Sequence, residues 1–155
     1  MPGGMEGGGV RKDPLVQANF YVSVDGHLDQ MVFRECSGLG SETELVEYKG
    51  SMKDDYHTIQ AVPGRLKWQI INLKRGITDS MDAWKWRKMV EQGQVDQARA
   101  NGSVVMVDQT GTEVARWNFK RAWPRKISGP SLNSSTNEVG VEELEIAHEG
   151  LERIK

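Results

Sequence analysis

Residues 113–126 read EVARWNFKRAWPRK, placing three aromatics and five cations within fourteen residues. Two readings compete for this stretch. One is a strand that stacks bases on its rings and clamps phosphates with its cations. The other is a core strand with a charged outer face. Side-chain parity decides between them. Trp117, Phe119 and Trp123 sit at odd positions with Ala115, whereas Arg116, Asn118 and Lys120 sit at even ones. In an extended chain those two sets leave opposite faces. Rings that share a face with Ala115 pack most simply into a core, where each buries roughly 150–250 Å². Carboxylates for the cations follow in Glu138, Glu142, Glu143, Glu145 and Glu149; with Glu113 included, residues 113–149 hold five cations against six carboxylates. Antiparallel pairing of the two strands sets Glu143 and Glu145 against Arg116 and Lys120. Each opposed pair then supports the register by about 0.2–1 kcal/mol and leaves little free basic field. In the last strand Val139 and Val141 share one parity while Leu144 and Ile146 share the other. This predicts a bulge near Glu142-Glu143.

The same alternation extends upstream. Ala18, Phe20, Val22 and Val24 alternate with Gln17, Asn19, Tyr21 and Ser23 before Asp25-Gly26, the pattern of a half-buried strand and its turn. Two further extended segments follow, DQMVFRECSGL and ETELVEYK, with Gly38 and Gly40 marking a bend between them. Residues 50–64 show neither strand nor helix period, which predicts a long connecting loop. In RLKWQIINLKRG, Leu66, Trp68 and Ile70 are predicted to point inward and Lys67 and Gln69 outward. A single helix is predicted within residues 78–99. Thr78 or Asp79 caps its start, Ala83, Trp86, Met89 and Val90 form its buried stripe, and Trp84 lies on the other side. The fold class is mainly β: an antiparallel barrel or sandwich with one helix.

Composition narrows the function classes. A chain of 155 residues is the size of one domain, and its formal net charge of −2 provides no global field to gather a polyanion. The glycine-rich residues 1–14 are read as a flexible arm, and residues 15–155 as the domain. A single cysteine, Cys36, excludes an internal disulfide and fits a half-buried strand position. No bilayer-spanning run and no signal-like apolar stretch is present in the sequence, which points to synthesis and folding in cytoplasm and to no membrane insertion by this chain. His27, His57 and His148 lack metal-site spacing. Asp54-Asp55 and Glu142-Glu143 diverge in extended chain and so make no acid/base pair. No nucleophile elbow, Walker loop or dinucleotide fingerprint occurs. The residues therefore predict no enzyme, metal or cofactor.

Several blocks, in order from about Asp13 to Leu151, carry a resemblance: CSGLG (36–40), VEYKG (46–50), PGRLKWQIINLKRGIT (63–78), WKW (84–86), NGSVVMVDQTGTEVARWNFKRAWP (101–124), GPSLNSSTNEV (129–139) and ELEIAHEGL (143–151). Together they resemble the tail tube proteins of contractile phages and phage-tail-like, extracellular contractile injection systems. That resemblance implies a structural subunit without enzymatic activity or cofactor. Copies would close into hexameric rings that stack as a hollow tube inside a contractile sheath. The partners implied are the chain itself, a sheath protein, baseplate or tube-initiator and terminator proteins, and a protein effector or DNA cargo in the lumen. The implied location is bacterial cytoplasm at synthesis, then a virion tail or a phage-tail-like particle released outside the cell. A monomeric nucleic-acid or ligand-binding β-domain is the alternative.

Within this expectation, residues 50–64 are assigned to contacts between subunits or stacked rings, with Tyr56, Ile59 and Val62 as anchors, because a segment without internal period gains order from a neighbour. Trp84 is assigned either to an outer contact, toward the sheath or a neighbouring subunit, or to a ring lying flat over its own domain's edge. The lumen wall is drawn from Gln17, Asn19, Ser23, Lys67, Gln69, Arg116, Asn118, Lys120, Glu143 and Glu145, a mixed-charge set suited to a passage that must not hold its cargo.

Overall fold

The computed structural model describes residues 19–50, 58–78, 80–130 and 140–155. The predicted arm, Gln17, Tyr56, His57 and Val139 lie outside them, as does the candidate cap Asp79. Alternation produces the strands where it was read. β1 (Asn19–Val24) buries Val22 and Val24, turns through Gly26, and pairs with β2 (Leu28–Phe33), which buries Leu28, Met31 and Phe33. β3 (Glu35–Ser37) follows after Arg34 alone, and β4 (Ser41–Gly50) and β5 (Thr58–Trp68) form a separate two-stranded sheet. β6 (Ile71–Gly76) leads to α1 (Asp82–Glu91) and the single-turn α2 (Val95–Ala98). β7 (Ala100–Val107), β8 (Glu113–Ser128), β9 (Val141–Ala147) and β10 (Gly150–Arg153) complete the chain.

The main sheet runs β2-β1-β7-β8-β9-β6-β3, with β10 also paired to β8, and every pairing is antiparallel. Its two end strands, β2 and β3, are separated in the chain only by Arg34, whose N–H donates to the Lys74 carbonyl. The sheet therefore curls until its ends are neighbours, bending as a barrel does without a ladder across the seam. Inside it Val22, Phe33, Ile71, Leu73, Val104, Phe119, Leu144 and Ile146 form the core, and Trp86 enters from α1.

Four local expectations are corrected. Residues 58–64 are not loop: they belong to β5, and the irregularity that hid them is a register shift opposite Thr43/Leu45, beside Pro63-Gly64. The chain breaks at Gln69-Ile70, so the inward set becomes Ile71, Leu73 and Arg75, while Leu66 is left exposed. Gly38 makes this break possible. Its φ is +82°, and a Cβ there would overlap the Ile70 carbonyl, so only glycine lets β3 leave beside β6. The helical region is two helices, separated around Gly93 (φ +81°), and α1 starts after Met81 without a side-chain cap; Thr78 instead accepts from the Ser80 N–H. Finally, β8 changes parity at Arg121, which has φ +49° and donates its N–H to Asn101 Oδ1. Ala115 and Phe119 are buried before that residue and Ala122 and Pro124 after it, so Trp123 is only half-buried.

Candidate functional site

The β4–β5 hairpin is the most exposed part of the described chain. Cross-strand partners share a face, so Thr43/Leu66 and Leu45/Pro63 lie on one side and Glu42/Lys67 and Val46/Val62 on the other. Both sides carry exposed apolar groups: Leu45 is 64% exposed and Leu66 57%, against Val46 at 45%, Tyr48 at 61% and Val62 at 42%. Burying one face and wetting the other is the usual economy of an antiparallel sheet. A hairpin apolar on both faces is built to be covered on both. The hairpin root borders an open hollow of about 600 Å³ lined from both strands by Glu42, Leu45, Arg65 and Leu66. Of the predicted anchors, Val62 lies here opposite Val46, and Ile59 lies opposite Lys49 in the backbone register. The side chain of Ile59 is outside the described residues. Lys67 and Gln69, predicted for the lumen wall, are exposed at the hairpin root, where Lys67 stands opposite Glu42.

The remaining wall residues separate into two groups. Ser23, Ser103, Asn118 and Glu152 are successive partners across β1, β7, β8 and β10, and therefore share the face turned away from the core. Arg116 and Lys120 flank Asn118 on that face beside an open hollow of about 300 Å³, and Asn19 lies on the same parity of β1 and is exposed. Glu143 and Glu145 are elsewhere. Glu145 binds Arg125 at 2.7 Å and stands opposite Lys126, and Glu143 stands opposite Ser128 with Lys74 at 3.5 Å. The expected pairing with Arg116 and Lys120 is overturned because the last strand breaks at His148-Glu149. That break leaves β10, not β9, opposite residues 117–120. Arg116 lies near Glu113 at 3.5 Å, and Glu149 is shared by Arg99 at 2.6 Å and Arg121 at 2.8 Å.

A buried ionic network was missed entirely from sequence. Arg75, 5% exposed, donates from Nε to Glu142 Oε2 at 3.1 Å, reaches Met31 Sδ through Nη1 and stacks over Phe33. Trp84 donates its indole N–H to the other carboxylate oxygen, Glu142 Oε1, at 3.0 Å, which turns its half-buried ring toward its own sheet. The network also explains the absence of the predicted bulge. β9 pairs with β6 without interruption from Ile71/Ile146 to Gly76/Val141, and Glu142, rather than a valine, takes the inward position opposite Arg75. The signal was available: Arg75 shares parity with Ile71 and Leu73, and Glu142 with Leu144 and Ile146.

Two other titratable groups have readable surroundings. Hydrogen bonds from Thr110, then from the Thr112 backbone, lower the Asp108 carboxyl pKa and close the β7–β8 turn, where Gly111 has φ +83°. Burial pushes the Cys36 thiol up to about 12, so it stays protonated and unreactive. Among the described residues no three His, Cys, Asp or Glu side chains converge as a metal site requires, and no helix is long and apolar enough to cross a membrane.

A family model described as T4-like virus tail tube protein gp19 matches residues 16–152. Among solved structures, the sheath–tube complex of an extracellular contractile injection system, PVC, in its extended state contains a chain similar at TM-score 0.73 and 22% identity, covering 93% of each chain. The tube-terminating cap of the anti-feeding prophage has one similar at TM-score 0.70 and 21% identity, covering 86% of each. Hcp1 from Flavobacterium johnsoniae is more distant, at TM-score 0.52 and 14% identity over 89% of this chain and 94% of the other. No curated protein matches the chain in sequence.

Proposed function

This chain belongs to the T4-like virus tail tube protein family, and from that premise we propose that its copies close into hexameric rings and stack as the inner tube of a contractile, phage-tail-like injection apparatus. The observation that carries the reading is the family match over residues 16–152. The exposed hairpin supports it: a heterologous contact, one surface of a copy meeting a different surface of the next, generates closed rings or open filaments, and apolar residues on both hairpin faces supply such a surface. The proteins of similar fold come from a sheath–tube complex, a tube cap and a baseplate. By analogy, the partners of this chain are its own copies, a sheath, a terminator and a baseplate, with cargo in the lumen. The tube passes cargo without a catalytic step, and the chain is synthesised in bacterial cytoplasm before its particle leaves the cell. The hairpin, with Tyr56, Ile59 and Val62, is assigned to contacts between subunits, and Ser23, Arg116, Asn118 and Lys120 to the lumen wall. Trp84 is assigned to the edge of its own domain. A monomeric nucleic-acid-binding domain is the weaker reading, since Arg121 and Arg125 are already held by Glu149 and Glu145.

Negative-stain imaging of the purified chain tests this. Six-fold rings or tubes are expected. A strict monomer that retards DNA in a salt-dependent way would overturn the reading in favour of the nucleic-acid-binding domain.

A further inference from the structure

His148 stands at the joint between the hairpin and the barrel. Its ring centroid lies 5.7 Å from that of Trp68, the last residue of β5, and 6.4 Å from that of Phe119 in the core of β8. The imidazole thereby bridges the hairpin root and the barrel wall, at the break between β9 and β10. Both of its nitrogens are buried without a hydrogen-bond partner; the backbone of Gln69 and Gly150 flanks the ring without closing a bond of good geometry. A ring fixed by aromatic contact alone is stable there only while it is uncharged.

We propose that His148 is an acid-sensitive latch, which as a neutral ring clamps the hairpin root between Trp68 and Phe119 and on gaining a proton lets the root go. The charges around it favour this behaviour. The adjacent carboxylate, Glu149, is occupied by Arg99 and Arg121. On β5, Lys67 alternates to the opposite side from Trp68 and stands against Glu42 on β4; on β8, Lys120 alternates to the opposite side from Phe119. The residues paired with Trp68 and Phe119, namely Ser41 on β4, Gly102 on β7 and Leu151 on β10, carry no charge. Burial holds the imidazole pKa below its ordinary 6.5, outweighing the flanking backbone, which favours the proton. Because the folded value is lowered, the clamp is at full strength above 6.5 and is lost as pH falls from there through the lowered value.

The test is amide hydrogen exchange on the dilute, unassembled full chain at about pH 7.5 and about pH 5, corrected for the intrinsic effect of pH. Residues 41–48 and 60–68 are expected to lose protection about tenfold relative to β7 and β8 on acidification. His148→Phe, which keeps an aromatic ring without a titrating proton, is expected to hold that protection at both pH values. No loss in the native chain, or an equal loss in His148→Phe, overturns the proposal. If His148→Phe does not fold, a magnetic-resonance titration of the native imidazoles replaces it: hairpin amide shifts that follow His148 support the latch, and shifts that are absent or follow another histidine overturn it. Because the readout is taken on unassembled chain, neither result depends on the tube reading.

Discussion

At the scale of single residues, the Arg75–Glu142–Trp84 network makes the sharpest predictions. Removing one charge strands the other in the core, so Arg75→Met or Glu142→Leu alone should destabilise the fold by about 3–5 kcal/mol, whereas the double variant should recover much of that loss. Urea denaturation of the two single variants and the double variant checks this. Trp84 would be nearly neutral to truncation if exposure alone decided. Its hydrogen bond to Glu142 instead makes Trp84→Ala cost about 1–3 kcal/mol. Trp86 is 1% exposed and donates to the Ala98 carbonyl at 2.8 Å, and Trp86→Ala should cost about 3–5 kcal/mol. Melting midpoints in the reverse order would contradict both assignments. Helical period alone placed Trp86 in the core but was blind to the partner of Trp84, because that partner lies 58 positions further along the chain. Gly38→Ala should cost more than about 1 kcal/mol, since its positive φ and the overlap with Ile70 cannot both be relieved.

At the scale of elements, the hairpin should behave as a surface until it is covered. Leu45 and Leu66 touch water in the isolated chain, so Leu45→Ser with Leu66→Ser should shift stability by only about 0.5 kcal/mol. The same pair should strongly reduce tube formation, measured as the fraction pelleted by ultracentrifugation. A large loss of thermal stability with normal tubes would reverse the assignment of this hairpin. The segment hid from a sequence reading because Pro63-Gly64 and the register shift interrupt alternation where β5 crosses β4. The two halves of the last strand were hidden in a related way: His148-Glu149 breaks one apparent strand into β9 and β10, each with its own stretch of β8.

At the scale of the whole molecule, a head-to-tail assembly has a consequence that a symmetric dimer lacks. A subunit defective only in its hairpin can still be captured through its other surface and then fails to extend the array. Mixing the Leu45/Leu66 serine variant into native chain should therefore shorten tubes in images well beyond simple dilution, and tube lengths that follow dilution alone would argue against that geometry. Lys120→Ser, on the face proposed for the lumen wall, should leave stability within about 0.5 kcal/mol and tubes intact.

The mainly β class, the inward sets Val22/Val24 and Leu144/Ile146, and the helix stripe through Ala83 and Trp86 are all legible in the order of residues alone. These depend on periods of two and about 3.6 residues that each segment carries within itself. Which strand stands opposite which is visible in the folded chain and not before it. Folding set Glu145 against Lys126 rather than Arg116 and buried Arg75 with Glu142; it also detached β4 and β5 into an exposed sheet. The physical reason is that alternation specifies the face of a side chain but not its neighbour. Register is chosen by the sum of core contacts across the sheet, and a single added residue, at Arg121 or near Gly64, moves every side chain beyond it to the other face.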